Sequence, residues 1–351
     1  MSKRLVDVEE ANLYLFNLLF RHQVYLEGVK AGFAGGFKAM IRRLYDEFAK
    51  YVGQTRYDSL DAFSRVEINY FVRRFQAGQT NEFNIYTQKL IALLKDFLAA
   101  DVEVHAAMFA AATDYPGSQH SEDATAALAV PRTEADNAGL WDSIAQAVIP
   151  ATGLTIQEML NNFTATSIAK VTNQLMIGWA NGESIKDVLA AIAGDQELRY
   201  RDGLFNTFNN QNTAIIATIL QHVSAQTQAA VAAELYSDEQ WVSVLDAVTT
   251  EICRSRNGNI YPAGEGPYPP AHFFCRSKRV PYSGGELHNI PATFFDWAET
   301  QPEDFLTDAL GTTLAASILA DNTKAQEISI NEVAIPLTVD EFSGKISFIT
   351  M

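Results

Sequence analysis

Two cysteines and one histidine between residues 250 and 280 are the side chains best suited to chemistry. Cys253 and Cys275 are the only two cysteines of the chain, and His272 lies three residues before the second. Thiolate sulfur and imidazole nitrogen are ligands that zinc prefers, so these three residues are candidate Zn²⁺ ligands. A structural zinc site has four ligands, and Asp246 or His288 is the candidate for the fourth.

Three other interpretations of the same residues stay open. Cys253 and Cys275 could form a disulfide across 22 residues, although a reducing cytoplasm disfavours one. His272 could activate a thiol as a nucleophile, but no motif supplies a third residue to orient it. We expect the last interpretation: two small buried thiols, with His272 hydrogen-bonded inside a compact proline-rich segment and no cofactor.

The same segment is rich in positive charge. Five of the eight basic residues after position 200 lie in it, namely Arg254, Arg256, Arg276, Lys278 and Arg279. They could contact DNA phosphates, pair with acidic residues of a partner protein, or be solvated surface charges. Arg276 follows Cys275 directly, and we expect it to be internal and paired with a carboxylate such as that of Asp246.

Motifs of several enzyme classes are missing from the sequence. It contains no G-x-x-x-x-G-K-[ST] phosphate loop, no G-x-S-x-G elbow, no H-E-x-x-H pair and no calcium loop. The remaining histidines of the first 235 residues are expected to lie at the surface or to be hydrogen-bonded in the core: His22, His105, His120 and His222. We therefore expect a protein that is not an enzyme.

Helices must position most of this chemistry. Apolar residues recur at helical spacing in four stretches of the first third, at about 8–20, 37–51, 60–75 and 81–112. Gly32, Gly35 and Gly36 are expected to interrupt the first of these runs. The many aromatic residues here predict a helical-bundle core, with a docking surface for a partner protein as the alternative.

Short strands are predicted only around the cysteines. Thr155 with Glu158, and Ser184 with Asp187, begin two further helices, and a third covers about 197–235. After position 236, runs typical of strands follow at Trp241–Leu245, Asn259–Tyr261 and Arg279–Tyr282. Short helices return after Pro291, and Ile346–Ile349 is expected to be a terminal strand.

The fold class that these patterns predict is α+β and predominantly helical. An N-terminal helical region is followed by a small mixed α/β C-terminal module with short strands and a loop rich in proline and glycine. We expect five parts: a helical region (1–112), a linker or long loop (113–138), a helical part (139–235), a compact Cys/His module (236–290) and a tail (291–351).

Charge and composition exclude several classes of protein. The 351 residues include 42 acidic and 26 basic side chains, which gives a net charge of −16 and argues against a general nucleic-acid wrapper. Two cysteines are too few for the fold of a chain of this length to be stabilised mainly by disulfides. We expect no membrane span, because the longest uncharged stretch, 203–233, is full of asparagine, glutamine and threonine.

The Cys/His segment resembles a known family. It reads D-x-x-T-T-x-x-C-x-x-R-N-G-x-x-Y and then G-x-G-P-x-P-P-A-H-x-x-C-R-S, an order similar to that of the Mu F-like head-morphogenesis family, the minor head proteins of tailed phages. The residues that carry the resemblance are Asp246, Thr249, Thr250, Cys253, Gly258, Tyr261, Pro269, Pro270, His272, Cys275 and Arg276. With weaker flanking matches it covers about Trp141 to Phe342, so that 139–235 would be the helical part of the head-morphogenesis domain.

The resemblance implies a minor capsid protein that binds the portal or the inner capsid surface during head assembly and DNA packaging. Expected partners are the portal protein and the major capsid protein or scaffold, with contacts to packaged DNA through the five basic residues. The implied location is the virion, and the host cytoplasm during assembly. The alternative is a virion protein that is ejected with the genome or acts as an effector enzyme in the host.

Two departures from the family pattern stand out. Many relatives carry a second cysteine three residues after the first, where this chain has Arg256. Many also carry an arginine in the preceding helix, where this chain reads AIIATILQHV from Ala214. The missing cysteine weakens the zinc interpretation, because it removes one of the four expected ligands.

Overall fold

The computed structural model confirms a predominantly helical α+β protein with one small antiparallel sheet. It describes residues 3–53, 58–128, 130, 132–194, 201–233, 235–246, 248–284, 293–320 and 329–351. The predicted fourth zinc ligand His288 lies outside these residues. Within them, no helix is long and apolar enough to cross a membrane.

Most of the helical residues belong to four long helices. They are α1 (Lys3–Gly53), α2 (Arg65–Thr113), α5 (Ile156–Asn181) and α7 (Leu204–Ala232). The shorter helices are α3 (Glu122–Leu128), α4 (Glu134–Gln146), α6 (Ile185–Ala193), α8 (Glu251–Arg256), α9 (Phe294–Ala298), α10 (Glu303–Leu310), α11 (Thr312–Leu319), α12 (Ile330–Val333), α13 (Val339–Ser343) and α14 (Ile346–Thr350), with a 3₁₀ turn at Leu60–Ala62.

Three short strands form the sheet in the order β2-β1-β3, where β1 is Asp238–Val242, β2 is Ile260–Pro262 and β3 is Lys278–Tyr282. Both pairings are antiparallel, and Gln240 of β1 lies opposite Ile260 on one side and Val280 on the other. The three strands lie close to where the sequence predicts them, because runs of β-type residues bounded by Gly and Pro are a local signal.

The chain divides into two compact units. Unit 1 consists of Met1–Phe33, Leu93–Thr155 and Ala217–Met351, and it contains the whole sheet. Unit 2 consists of Ala34–Ala92 and Ile156–Ile216. This division falls within α1, α2 and α7. The expected boundary at 113–138 is a segment that contains α3 and the beginning of α4.

Each unit has an aromatic core of its own. In unit 2 the Phe37 ring lies 5.6 Å from that of Phe163 and 5.2 Å from that of Tyr86. In unit 1 the rings of Phe16 and Phe20 stack at 4.4 Å. The phenylalanines that the sequence places on the helical stripes of the first third are buried, and Tyr70 is the exposed exception among the aromatics predicted for 60–75. These stripes therefore form core, as expected, and not a docking surface.

The expected interruption of the first helix at its glycines is wrong, because α1 continues through them. Gly28 and Gly32 leave room for a neighbouring segment: the Leu337 N–H donates to the Gly28 carbonyl oxygen at 2.9 Å. A Cβ atom on Gly32 would lie 2.1 Å from the Leu337 carbonyl oxygen. The glycine at position 32 thus serves close packing and does not end the helix.

Two further expectations need correction. The helices expected at 60–75 and 81–112 are one continuous helix from Arg65, because residues 76–80 contain no proline that would end it. Ile346–Ile349 is the helix α14 and not a strand; the Ile349 N–H donates to the Lys345 carbonyl oxygen at 3.0 Å. Four residues with three apolar side chains, Ile-Ser-Phe-Ile, are too short to distinguish the two periodicities.

Replacing Gly32 by alanine should show that a glycine at this position of α1 is needed for close packing, whereas a glycine elsewhere in the helix is not. Gly32→Ala should lower the free energy of unfolding by roughly 1–3 kcal/mol, because its methyl group would overlap the Leu337 carbonyl. Gly35→Ala is the matched control. Its Cβ would meet nothing within 4 Å, so it should raise the same quantity by about 0.5–1 kcal/mol. Urea denaturation measures the free energy of unfolding of both variants. Equal changes of the same sign would contradict the packing role of Gly32.

A buried histidine should make stability depend on pH. Burial lowers the pKa of His222 from 6.5 to about 4. As the pH falls below 6.5 the unfolded chain therefore takes up a proton before the folded chain does, and stability is lost until the pH reaches the folded pKa. At pH 5 this amounts to about 2 kcal/mol. The difference in unfolding free energy between wild type and His222→Gln should shrink by about 1.5 kcal/mol from pH 6.5 to pH 5, measured by urea denaturation. A constant difference would contradict it.

Candidate functional site

The two cysteines and His272 come together in unit 1. Cys253 lies on α8, whereas His272 and Cys275 lie on the loop that leads into β3. Cys253 Sγ is 3.0 Å from His272 Nε2 and 3.8 Å from Cys275 Sγ. The exposed fractions of Cys253 and Cys275 are 2% and 0%, whereas His272 is half-buried. The three candidate ligand atoms all lie within 4.8 Å of one another.

A tight turn after α8 holds Cys253 against the sheet. Gly258 has a φ of 87°, which favours glycine, and its N–H donates to the Trp241 carbonyl oxygen at 2.8 Å. The Trp241 N–H in turn donates to the Asn259 carbonyl oxygen at 2.8 Å. The Asn257 side chain accepts from the Ser243 N–H at 2.8 Å. The Asn257-Gly258 pair thus makes the turn that the sequence indicates and returns the chain to β1.

A second turn orients the other two side chains. The Cys275 N–H donates to the His272 carbonyl oxygen at 3.2 Å, which closes the H-x-x-C segment into a turn. Phe274, inside this turn, has a φ of 58°, in the left-handed region that non-glycine residues rarely adopt. The preceding Pro269 and Pro270 are both buried and joined by a cis peptide bond. The turn places the imidazole and the second thiol on the side that faces α8.

The cysteines are part of a small core beneath the sheet. Trp241, Cys253 and Cys275 form its buried part, and Tyr261 packs against it. The Trp241 indole N–H donates to Ser243 Oγ at 3.0 Å, and Ser243 Oγ donates to the Cys253 carbonyl oxygen at 2.9 Å. The thiols therefore lie in the compact proline-rich segment that the sequence predicts.

Hydrogen bonding decides which nitrogen of His272 faces the thiols. His272 Nδ1 lies 2.7 Å from the Phe273 carbonyl oxygen, which can only accept, so Nδ1 carries the proton in the neutral ring. Nε2 then presents its lone pair to Cys253. The hydrogen bond from Cys275 lowers the pKa of the Cys253 thiol to about 6, and the same bond raises the pKa of Cys275. Cys253 is thus the thiol that loses its proton first.

Asp246 and Arg276 form the ion pair that the sequence predicts. Arg276 binds the carboxylate through both terminal nitrogens: its Nη2 lies 2.8 Å from Asp246 Oδ1, and its Nη1 bonds to Oδ2. Asp246 Oδ1 also accepts from the Val248 N–H at 3.1 Å and from the Thr249 hydroxyl at 3.0 Å. Both carboxylate oxygens of Asp246 are bonded in this way, and the described group of candidate ligands around the thiols contains Cys253, His272 and Cys275 without Asp246.

The other motif residues have local structural positions. Thr250 is the N-cap residue of α8, although its side chain makes no capping hydrogen bond. Tyr261 lies on β2, where the Arg279 guanidinium stacks over its ring at 4.7 Å. Pro270 is buried in the loop before the H-x-x-C turn. Together with Gly258, these residues shape the module around the thiols.

Three of the five basic residues of the segment face inward. Arg276 is paired with Asp246, Lys278 Nζ lies 2.9 Å from His22 Nδ1, and Arg279 Nη2 lies 3.2 Å from Glu239 Oε2. All three side chains are buried, so the expectation that they contact DNA phosphates is wrong. Arg254 is exposed, and Arg256 is half-buried with its guanidinium 5.1 Å from the Trp241 ring.

A second buried cluster in unit 1 escapes the sequence analysis, which treats His22 and His105 as solitary. His22 Nε2 lies 2.6 Å from Asp101 Oδ1, and His105 Nδ1 lies 2.8 Å from the Asp101 carbonyl oxygen. Because Lys278 donates to His22 Nδ1, His22 carries its proton on Nε2. Burial and the neighbouring Lys278 lower the pKa of His22 to about 3, and burial lowers that of Lys278 to about 7. His22 is therefore neutral. The only sequence signal is the four-residue spacing of Asp101 and His105.

Comparisons of this chain with protein families, with curated proteins and with solved structures give no match. Its own residues and their contacts are therefore what indicates a function.

Breaking the buried ion pair should be costly. Asp246→Asn removes the negative charge but keeps the shape, which leaves the Arg276 guanidinium buried without a counter-charge. Loss of one partner of a buried pair typically costs about 3–5 kcal/mol of unfolding free energy.

The exposed pair Arg43–Glu82, joined at 2.8 Å, supplies the control. Glu82→Gln should cost less than about 1 kcal/mol, because solvent already screens that pair. Urea denaturation of both variants measures the contrast. Equal losses would show that burial adds nothing to the Asp246–Arg276 pair.

Proposed function

We propose that this protein is a minor head protein of a tailed phage, which binds the portal or the inner capsid surface during head assembly and DNA packaging. The observation that carries the proposal is that the residues of the Mu F-like resemblance assemble into one module. Asp246 and Arg276 stand 30 residues apart in the motif and form a two-point ion pair. Cys253, His272 and Cys275 meet in the same module.

Two of the motif positions also have a physical reason for their residue type. Gly258 has a positive φ, and Arg276 needs a planar fork to bind both oxygens of Asp246. A motif whose residues come together in one compact unit supports the resemblance more strongly than the match in sequence alone. The module is the part of the chain in which the resemblance is most specific.

The proposed role is binding and not catalysis. Cys253 is the thiol with the lowered pKa, but its exposed fraction is 2%, so a substrate cannot reach its sulfur in this conformation. His272 is oriented by a backbone carbonyl and not by a carboxylate. A cysteine nucleophile needs both access and an activating base, and only the base is in place.

Exposed apolar side chains on the module are candidate contacts with the portal or capsid protein. The exposed fractions of Phe273 and Phe274 are 46% and 39%. Exposed aromatics are favourable anchors at protein interfaces. Arg254 remains at the surface as a candidate partner for an acidic residue or a DNA phosphate.

The proposal predicts where the protein is found. Quantitative mass spectrometry of purified DNA-filled particles, empty proheads and post-ejection ghosts should count it at a fixed, low ratio to the portal protein in all three. Presence in full particles with loss from ghosts would instead support the alternative, a protein ejected with the genome. Absence from all three would contradict the head-protein assignment.

A pair of variants connects this measurement to the module. Phe273→Asp should lower incorporation into proheads severalfold, because it places a charge on a candidate contact. Val66→Asp, on the exposed surface of α2, is the control and should be incorporated normally. Equal incorporation of both variants would exclude Phe273 as an anchor, while the wild-type ratios would still test the head assignment.

A further inference from the structure

We propose that Cys253, His272 and Cys275 bind one Zn²⁺ ion, with an external ligand such as water in the fourth position. This inference does not depend on the phage function, since it concerns the module's own chemistry. From the sequence alone we expect two buried thiols without a metal, and a zinc site stays open as an alternative. The geometry of the folded module favours the zinc site.

The sulfur atoms are already spaced for a tetrahedral ion. Zn–S bonds of about 2.3 Å at a tetrahedral angle place two sulfurs about 3.8 Å apart. The Cys253 and Cys275 sulfurs are 3.8 Å apart. The same geometry requires about 3.6 Å between sulfur and nitrogen. His272 Nε2 is 3.0 Å from Cys253 Sγ, about half an ångström shorter than this, and lies within 4.8 Å of Cys275 Sγ.

The histidine has the tautomer that a ligand needs. Metal-binding histidines usually donate their second ring N–H to a carboxylate, backbone carbonyl or water, which fixes the ring and directs the other lone pair at the metal. His272 Nδ1 donates to the Phe273 carbonyl oxygen at 2.7 Å, and Nε2 faces the thiols. The supporting hydrogen bond of a zinc ligand is thus already formed.

Charge balance also favours the ion. Two cysteine thiolates carry two negative charges, which equal the charge of Zn²⁺, and the neutral imidazole adds none. Unpaired thiolates would be costly in a core where Cys253 and Cys275 are almost fully buried, so the ion is what makes both deprotonated forms acceptable there.

The described residues supply three protein ligands. The group contains Cys253, His272 and Cys275, and the candidate Asp246 is bonded to Arg276 instead. Zinc held by three protein ligands keeps a fourth position for water or an incoming group. The ion would connect α8 with the loop before β3, which are otherwise joined there by packing, a thiol–imidazole hydrogen bond and a hydrogen bond between the two thiols.

The two alternatives to a zinc site are a disulfide and a metal-free pair of thiols. A disulfide requires sulfurs about 2.0 Å apart, whereas these are 3.8 Å apart and both cysteines are free. A metal-free pair of thiols would place the same Nε2 lone pair in a hydrogen bond from the Cys253 thiol, and the metal content distinguishes that state from the zinc site. The second cluster of this kind, formed by His22, Asp101 and His105, is unsuited to a metal because Lys278 and Asp101 occupy both nitrogens of His22.

Metal analysis of the full chain tests the proposal. The protein is purified under reducing conditions without a metal-chelating tag, and plasma mass spectrometry should find one zinc per chain. After chelation, Co²⁺ should give the intense visible bands of a tetrahedral site and a near-ultraviolet thiolate charge-transfer band. Adding Zn²⁺ to the chelated protein should raise its melting temperature by roughly 5 °C.

Variants assign the ligands. His272→Ala and Cys275→Ser should each lose most of the bound zinc and the stabilisation by added Zn²⁺. His120→Ala, which removes a histidine bonded only locally to Ser118 in the described contacts, should keep both. Circular dichroism of each variant establishes that the helices are intact, so that loss of metal is not mistaken for loss of fold.

Two results would overturn the proposal. One is a reduced wild-type chain that contains no stoichiometric zinc and gives no thiolate band with Co²⁺. The other is zinc content that is unchanged in folded His272→Ala and Cys275→Ser. Thiol titration accompanies the first measurement: if the cysteines are found oxidised, the assay is repeated after reduction, and absence of binding then counts against the site.

Discussion

Three buried basic side chains near the start of β3 are the constraint on which the rest of unit 1 depends. Arg276, Lys278 and Arg279 are each almost fully withdrawn from water, and an unpaired buried charge would cost several kcal/mol. Each therefore has its own partner, on a different part of the chain. Arg276 binds Asp246 before α8, Arg279 binds Glu239 on β1, and Lys278 bonds to His22 on α1. These three bonds set where β3 can lie.

The Cys/His site is a consequence of that placement. The H-x-x-C turn immediately precedes β3, and Asp246 lies a few residues before α8, so the Asp246–Arg276 pair brings Cys275 and Cys253 to the same place. The departure from the Mu F-like pattern, which the sequence only resembles, has a physical counterpart here. Arg256 stands where many proteins of that family carry a second cysteine, and its guanidinium lies 5.1 Å from the Trp241 ring. Arginine adds packing and charge there and no metal ligand.

Local patterns in the sequence were sufficient for the fold class, the three strands and the turn at Asn257-Gly258. They were insufficient where a segment that is distant in sequence determines the local structure. Gly32 reads as a helix breaker until Leu337 is known to lie against it, 305 positions further along the chain. His22 reads as solitary because Asp101 and Lys278 are remote in sequence. For the candidate site, residue types and the Asp246–Arg276 pair were predictable, whereas the tautomer of His272 and the sulfur spacing depend on the folded loop.

The inward-facing cations also affect the proposed role. The chain already has a net charge of −16, and three of its 26 basic side chains, Arg276, Lys278 and Arg279, are buried in ion pairs or hydrogen bonds. Two of them neutralise buried carboxylates, so most of the acidic excess is left for the surface. Such a surface is repelled by DNA phosphates at long range. In a packaged head it would favour contacts with protein walls over contacts with the genome, and the exposed aromatics of the H-x-x-C turn offer the apolar part of such a contact.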